Sequence, residues 1–215
     1  MEKRIRTLEL FAGSRSFTKV AQSPKFNFDT YTTDNQSFAN IDQICDIFDF
    51  SLHYCIKALR GVPDIVWASP PCTTFSVASF GHHWYPDRKP KTQEAINGIK
   101  IIEKTVELIN YIKKLNPDVK YIIENPRGML RKLDLIPFER YTVTYCQYGD
   151  KRMKPTDIWT NIRWKPKPMC KNGQPCHEAA PRGSRTGTQG IKNDYERSKV
   201  PYELCNHLLE SYIYA

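Results

Sequence analysis

Apolar residues recur along this chain in two rhythms: short, nearly continuous runs that predict buried strands, and one long stretch at three- and four-residue spacing that predicts a helix. The run from Ile5 to Phe11, broken by Gly13 and followed by Ser14-Arg15-Ser16-Phe17-Thr18-Lys19-Val20-Ala21, predicts strand, tight turn and helix. Phe28 to Thr33, ending at Asp34, predicts a second strand, and Ile44 to Phe48 a third with Asp46 inside it. Asp64 to Ala68 is a compact buried-strand pattern that stops at Ser69-Pro70-Pro71-Cys72, because prolines lack the N–H that a ladder needs. Cys72 is therefore expected just past a strand end.

Thr73 to Lys91 holds Gly81, Pro86, Pro90 and several aromatic and basic residues without sustained periodicity, which predicts a long loop. Ala95, Ile99, Ile102, Val106, Ile109 and Ile112 form one apolar stripe on a helix ending near Pro117. Val119 to Ile123 predicts a strand running into Glu124-Asn125-Pro126, and Arg140 to Gln147 and Asp157 to Ile162 predict two more. From Lys165 to Lys199 the chain turns to Pro, Gly, Lys, Arg, Ser and Thr, which predicts irregular structure, before an amphipathic helix over Pro201 to Tyr212.

Strands alternating with helices predict an α/β fold with a doubly wound, mostly parallel sheet. Ligands of such sheets bind beyond the carboxyl ends of the strands, where Gly13, Asp34, Cys72 and Glu124 all fall. These residues are expected to share one crevice.

With 215 residues, 40% hydrophobic and 26% charged, the chain is suited to a single folded domain and argues against wholesale disorder. Lys plus Arg exceed Asp plus Glu by nine, and basic residues thicken from Lys151 through Arg152, Lys154, Arg163, Lys165, Lys167 and Lys171. That excess favours phosphate without conferring sequence specificity. Seven cysteines, an odd number, with no apolar leader ahead of them and no run near the roughly 18 apolar residues that span a bilayer, predict a cytoplasmic protein with reduced thiols and no membrane contact.

Four ordered motifs give the pattern chemical meaning. Leu10-Phe11-Ala12-Gly13, Pro70-Pro71-Cys72-Thr73-Thr74-Phe75-Ser76, Glu124-Asn125-Pro126 and, in shortened form, Gln147-Tyr148-Gly149-Asp150-Lys151-Arg152-Met153-Lys154 resemble, across most of the first 160 residues, the motifs of the DNA cytosine-5 methyltransferase family. The resemblance implies a Rossmann-like class I methyltransferase, S-adenosylmethionine as methyl donor and DNA as substrate. Cytosine carbon 5 is too weak a nucleophile to take a methyl group unaided. A thiolate adding to carbon 6 drives electron density onto carbon 5, which calls for Cys72. A carboxylic acid at ring nitrogen 3 stabilises the developing charge, the part that falls to Glu124, and Arg152 is placed to hold the ring carbonyl oxygen.

By the same resemblance, Phe11, Ala12, Gly13, Ser14, Arg15 and Pro70 border the donor, with the first turn of the following helix offering free backbone N–H groups to its carboxylate. Arg15 and Ser16 stand where the family has further glycines. Asp34 is expected to bind ribose hydroxyls and Asp46 the adenine amine. Ser76, Lys154, Arg182 and Arg185 are expected to touch nucleic acid, and the target base must leave the stack to reach Cys72.

The implied organisation is a catalytic domain over 1–162, a reduced basic recognition segment over 163–199 and a helix over 200–215 packing back on the sheet. A compact, monomeric enzyme of phage-like or restriction-modification type is implied, with a partner protein as one possible source of specificity. The short recognition segment leaves open a cytosine-5 methyltransferase acting on RNA or on a free cytidine nucleotide, and a non-catalytic nucleic-acid-binding module. Cys170, Cys176 and His177, with Cys146, Cys205 or His207 as further donors, are zinc-type ligands. The Cys-x5-Cys-His spacing matches no standard knuckle and adjacent ligands converge awkwardly, so no metal is expected.

Overall fold

The structure is a computed structural model, and it describes residues 4–171, 173–178, 191 and 193–214. Its strands are β1 (Arg6–Leu10), β2 (Asp29–Asp34), β3 (Gln43–Ile44), β4 (Ile65–Ala68), β5 (Lys120–Pro126), β6 (Arg140–Thr144) and β7 (Pro155–Thr160). The helices are α1 (Ser16–Ala21), α2 (Leu52–Leu59), α3 (Phe80–His83), α4 (Gln93–Leu115), α5 (Asp194–Ser198) and α6 (Tyr202–Ile213). The strands form one sheet in the order β3-β2-β1-β4-β5-β7-β6, parallel except where β7 runs antiparallel to both β5 and β6.

Strand alternation sends side chains to two cores. Ile65 and Trp67 of β4 join Phe17 and Val20 of α1 and Leu204 and Leu208 of α6 on one face. Val66 and Ala68 join Leu52 and Cys55 of α2 and Ile102, Ile109 and Ile112 of α4 on the other. The stripe that predicts α4 is thus its buried face, and the helix begins at Thr92, whose hydroxyl accepts from the Ala95 N–H at 3.2 Å.

The antiparallel strand has a consequence for chemistry. Because β7 runs against its neighbours, its amino-terminal end lies at the carboxyl edge of the parallel strands. That edge therefore gathers the loops after β1, β2, β4 and β5 together with residues 145–154.

Several expectations change here. The predicted strand over 44–48 is reduced to Gln43–Ile44, since Asp46 turns the chain by accepting from the Phe48 N–H at 3.0 Å. The loop over 73–91 is not free: it contains α3, and Phe75 and Trp84 are buried and stacked, with the Trp84 indole N–H donating to the Thr74 carbonyl at 2.6 Å. His83 is buried against Thr92, with its Nδ1 2.7 Å from the hydroxyl. Residues 165–199, expected to be irregular, contain α5, which Asn193 caps by accepting from the Glu196 N–H. The helix α2 was not predicted, although Leu52, Cys55 and Leu59 stand at helical spacing.

Candidate active site

The turn after β1 bends through three left-handed residues, Phe11, Gly13 and Arg15, before α1 begins. Asp34, at the end of β2, fixes that turn by accepting from the Gly13 N–H at 2.9 Å, while its other oxygen accepts from the Gln36 N–H. Each Asp34 oxygen thus meets one backbone donor and keeps lone-pair capacity for a hydroxyl. A Cβ on Gly13 would meet nothing closer than 3.9 Å, so the turn is open on that side. Ala12 and Ser14 are buried, and Asp46 is exposed.

The amino end of α1 does not offer its donors as expected. The Glu9 side chain, buried in β1, accepts from the Phe17 and Thr18 N–H groups at 3.3 and 2.8 Å. Burial raises the Glu9 carboxyl to about 7, against the opposing pull of those bonds and of Arg15. A lone glutamate inside the apolar run Thr7-Leu8-Glu9-Leu10 was the signal for this internal cap.

The far wall of the site was not legible in the sequence. Residues 195–200 pack against the same turn: Val200 N–H donates to the Ser16 hydroxyl at 3.1 Å, and the Tyr195 ring lies 5.7 Å from that of Phe38, beyond β2. The Asn193-x-x-Glu196 capping pattern was the available cue.

Cys72 follows β4 after the two prolines, and its carbonyl accepts from the Phe75 and Ser76 N–H groups, each at 3.0 Å, which closes a tight turn. The Asn125 amide of β5 donates to the Pro70 carbonyl at 2.9 Å and ties the Glu-Asn-Pro motif to the cysteine motif. The two loops then touch directly, with Met129 N–H donating to the Phe75 carbonyl at 2.7 Å and Ser76 bridged to Gly128. A Cβ on Gly128 would lie 2.0 Å from the Phe75 carbonyl oxygen, so this crossing requires glycine. Gly128→Ala is expected to cost about 1–3 kcal/mol of stability through overpacking, visible as a lowered thermal midpoint. An unchanged midpoint would show that the crossing opens freely.

Glu124 is buried in β5, and the Tyr145 hydroxyl donates to its Oε1 at 2.8 Å. Burial and the neighbouring Glu124 carboxylate hold the Tyr145 phenol well above its ordinary value, so it remains a donor. Lys154, at the amino end of β7, is also buried; its Nζ sits 4.7 Å over the Tyr145 ring and donates to the Arg197 carbonyl at 3.1 Å. Burial pushes the Cys72 thiol up, the Lys154 ammonium pulls it back down, Glu124 raises it and Arg197 lowers it. Tyr145, bonded to Glu124 and lying under Lys154, and Asn125, bonded to Pro70, bring Cys72, Glu124 and Lys154 to one sheet edge.

The Arg152 guanidinium lies 5.8 Å over the Tyr145 ring, but its hydrogen bonds go elsewhere than the sequence suggests. It pairs with Asp150 and donates to the carbonyls of Glu196, Arg197 and Lys199, clamping the carboxyl end of α5. A guanidinium with its donors committed to a carboxylate and three carbonyls is a strap, and of the cations acting on Cys72 Lys154 has the larger effect, ahead of Arg197.

Of the expected nucleic-acid contacts, the Ser76 hydroxyl is engaged locally with Ser79 at 3.0 Å, and Arg182 and Arg185 lie outside the described residues. Beside the Ser76–Gly128 crossing, Val77, Phe80 and Met129 form a cavity with Arg127, Arg131 and Lys132. This cation-rimmed groove was not anticipated.

The zinc spacing argument also fails in the folded chain. Cys146, Cys170, Cys176 and His177 have their donor atoms within 4.8 Å of one another, whereas Cys205 is buried in the core under α6. No helix among the described residues is long and apolar enough to cross a membrane.

Comparison with known proteins agrees with the sequence resemblance. No family model matches the chain. It is 28% identical over 176 residues to a "Probable DNA (cytosine-5)-methyltransferase" of Frog virus 3 (isolate Goorha), covering 80% of this chain and 78% of that protein. Its fold is similar to that of the Entamoeba histolytica methyltransferase EhMeth, with a TM-score of 0.52 and 13% identity over 79% of this chain. The match spans 58% of that structure's chain. The α/β methyltransferase fold is thereby shown.

Proposed function

We propose that this chain, with its methyltransferase fold and a viral relative named for DNA cytosine-5 methylation, transfers a methyl group to carbon 5 of cytosine in DNA. The observation that carries the reading is the grouping of Cys72, Glu124 and Lys154 at one sheet edge, beside the turn held by Asp34.

The donor site fits S-adenosylmethionine: an open Gly13 turn, an Asp34 carboxylate with acceptor capacity for ribose hydroxyls, and Asp46 exposed nearby on the next strand's end. Bound there, S-adenosylmethionine would supply an electrophilic methyl group on a sulfonium. The Phe17 and Thr18 N–H groups are committed to Glu9, and the Ala12, Gly13 and Arg15 N–H groups to Thr33, Asp34 and Ala12, so the donor's carboxylate is not assigned to these backbone groups.

On the base side, Cys72 loses its proton to solvent and forms a bond to carbon 6, and the carbon 5–carbon 6 π pair moves to carbon 5. Glu124, held at Oε1 by Tyr145, presents Oε2 to ring nitrogen 3 and donates a proton as charge develops there. Lys154 stabilises the thiolate before attack and the ring's negative charge after it. Carbon 5 then takes the methyl group, the donor sulfur keeping the bonding pair; solvent water removes the carbon 5 proton, the freed pair restores the carbon 5–carbon 6 double bond as the carbon 6–sulfur bond breaks to return the thiolate, and nitrogen 3 gives its proton back to Glu124. At the groove beside the Ser76–Gly128 crossing, Arg127 and Lys132 supply phosphate contacts, whereas Arg131 is paired with the buried Asp157.

The direct test is incubation with methyl-labelled S-adenosylmethionine and, separately, double-stranded DNA, RNA and cytidine nucleotides. Label is expected in 5-methylcytosine of DNA. Label entering only RNA or nucleotide would replace the substrate, and none in any would favour a binding module.

A further inference from the structure

We propose that Cys146, Cys170, Cys176 and His177 bind one structural zinc ion, which fastens the chain beyond β7 to the turn that carries Tyr145. This goes beyond the catalytic reading and does not depend on it.

The four donors come from two separate stretches, one residue in the turn after β6 and three within residues 170–177. The Cys170 and Cys176 sulfurs are 3.1 Å apart, well beyond the roughly 2.05 Å of a disulfide. Cys176 and Cys146 sulfurs are 3.7 Å apart, and His177 Nδ1 lies 3.5 and 3.8 Å from the sulfurs of Cys170 and Cys176. Tetrahedral zinc with bonds of about 2.3 Å to sulfur and 2.0–2.1 Å to nitrogen has edges of about 3.8 Å (S···S) and 3.6 Å (S···N). Of the six edges three already match, the Cys170–Cys176 edge needs to open by about 0.7 Å, and the two from Cys146 to Cys170 and His177 lie within 4.8 Å. The adjacency of Cys176 and His177 is accommodated because His177 uses Nδ1, the nitrogen nearer its backbone.

The donor set selects the ion. Three thiolates and an imidazole are too soft for calcium or magnesium, and four protein ligands leave no open position for water or substrate, which marks a structural rather than a catalytic site.

The need for a staple is visible in the same segment. Beyond Trp164, which packs in the main core, none of the described residues to 178 is in helix or strand, and the apolar cluster around the donors is only Cys146, Met153 and Cys170. The segment is nevertheless docked: Cys170 N–H donates to the Thr144 hydroxyl at 2.8 Å, Lys167 N–H to the Tyr148 hydroxyl at 2.9 Å, and Glu178 N–H to the Lys151 carbonyl at 2.9 Å. A metal closing the loop supplies what so small a core does not. Three thiol protons leave to solvent as the ion binds, and no electron transfer is involved.

The test uses the full chain, expressed in zinc-supplemented medium and purified without chelator. Elemental analysis is expected to find one zinc per chain, lost to background in Cys176→Ala, whose parent side chain is exposed, and retained in Cys45→Ala. Cobalt(II) added to the reduced, metal-free wild-type chain is expected to give the intense visible bands of a tetrahedral ion and thiolate-to-metal absorption in the near ultraviolet. Wild-type protein without zinc and without a cobalt spectrum overturns the proposal. So does zinc retained at full stoichiometry by Cys176→Ala, or a freshly purified protein whose mass and peptide map show Cys170 bonded to Cys176.

Discussion

Cys72→Ser is expected to lower methyl transfer to cytosine by on the order of 10⁴–10⁶-fold, the scale on which a covalent enzyme loses activity with its nucleophile. A serine hydroxyl in the same position is far less acidic than a thiol, and Lys154 alone does not ionise it at neutral pH. The loss belongs to chemistry rather than folding, because the turn is held by the Cys72 carbonyl and by Asn125 on Pro70, neither of which involves the sulfur. An oligonucleotide carrying 5-fluorocytosine separates the two. Fluorine replaces the proton that must leave carbon 5, so wild-type enzyme with donor is expected to stop as a covalent protein–DNA adduct resistant to denaturation. Cys72→Ser should bind the same oligonucleotide and form no adduct. Adduct formation by the serine variant would move the nucleophile to another residue.

What was legible beforehand has a physical pattern. The buried strands β1, β4 and β5 announce themselves because parallel strands covered on both faces are apolar throughout, and the residues at their ends then read as a set. Cys72, Glu124 and Asp34 were picked out in this way as candidates, and all three lie at the carboxyl edge. What failed depends on contacts distant in sequence. Nothing local tells Arg152 from Lys154, two residues apart in one motif; the choice follows from Asp150 and from α5, some forty residues later, which takes the Arg152 donors. Likewise Cys146 joins Cys170 and Cys176 only because β6 turns back toward the later segment, so spacing within the Cys-x5-Cys-His stretch misjudged the cluster. Glu9 was hidden for the opposite reason: a carboxylate inside an apolar strand looks like an exception until the helix it caps is in place.

The choice between those two basic residues yields the second large effect. Lys154→Met keeps the buried stem and removes the charge, and is expected to lower kcat/KM by roughly 10²–10³-fold, as loss of one group stabilising transition-state charge does. The pH profile identifies the cause. In the free enzyme kcat/KM rises with pH as the Cys72 thiol gives up its proton. Lys154 lowers that pKa, so its removal must move the rising limb to higher pH, whereas Lys154→Arg should return the limb toward its original position. Arg152→Met is expected to leave the limb in place and lower the thermal midpoint instead, because its donors hold α5 and not the base site. If the limb moves in Arg152→Met and stays fixed in Lys154→Met, the assignment reverses. Donor and DNA binding would then have to reorder residues 150–154 before chemistry begins.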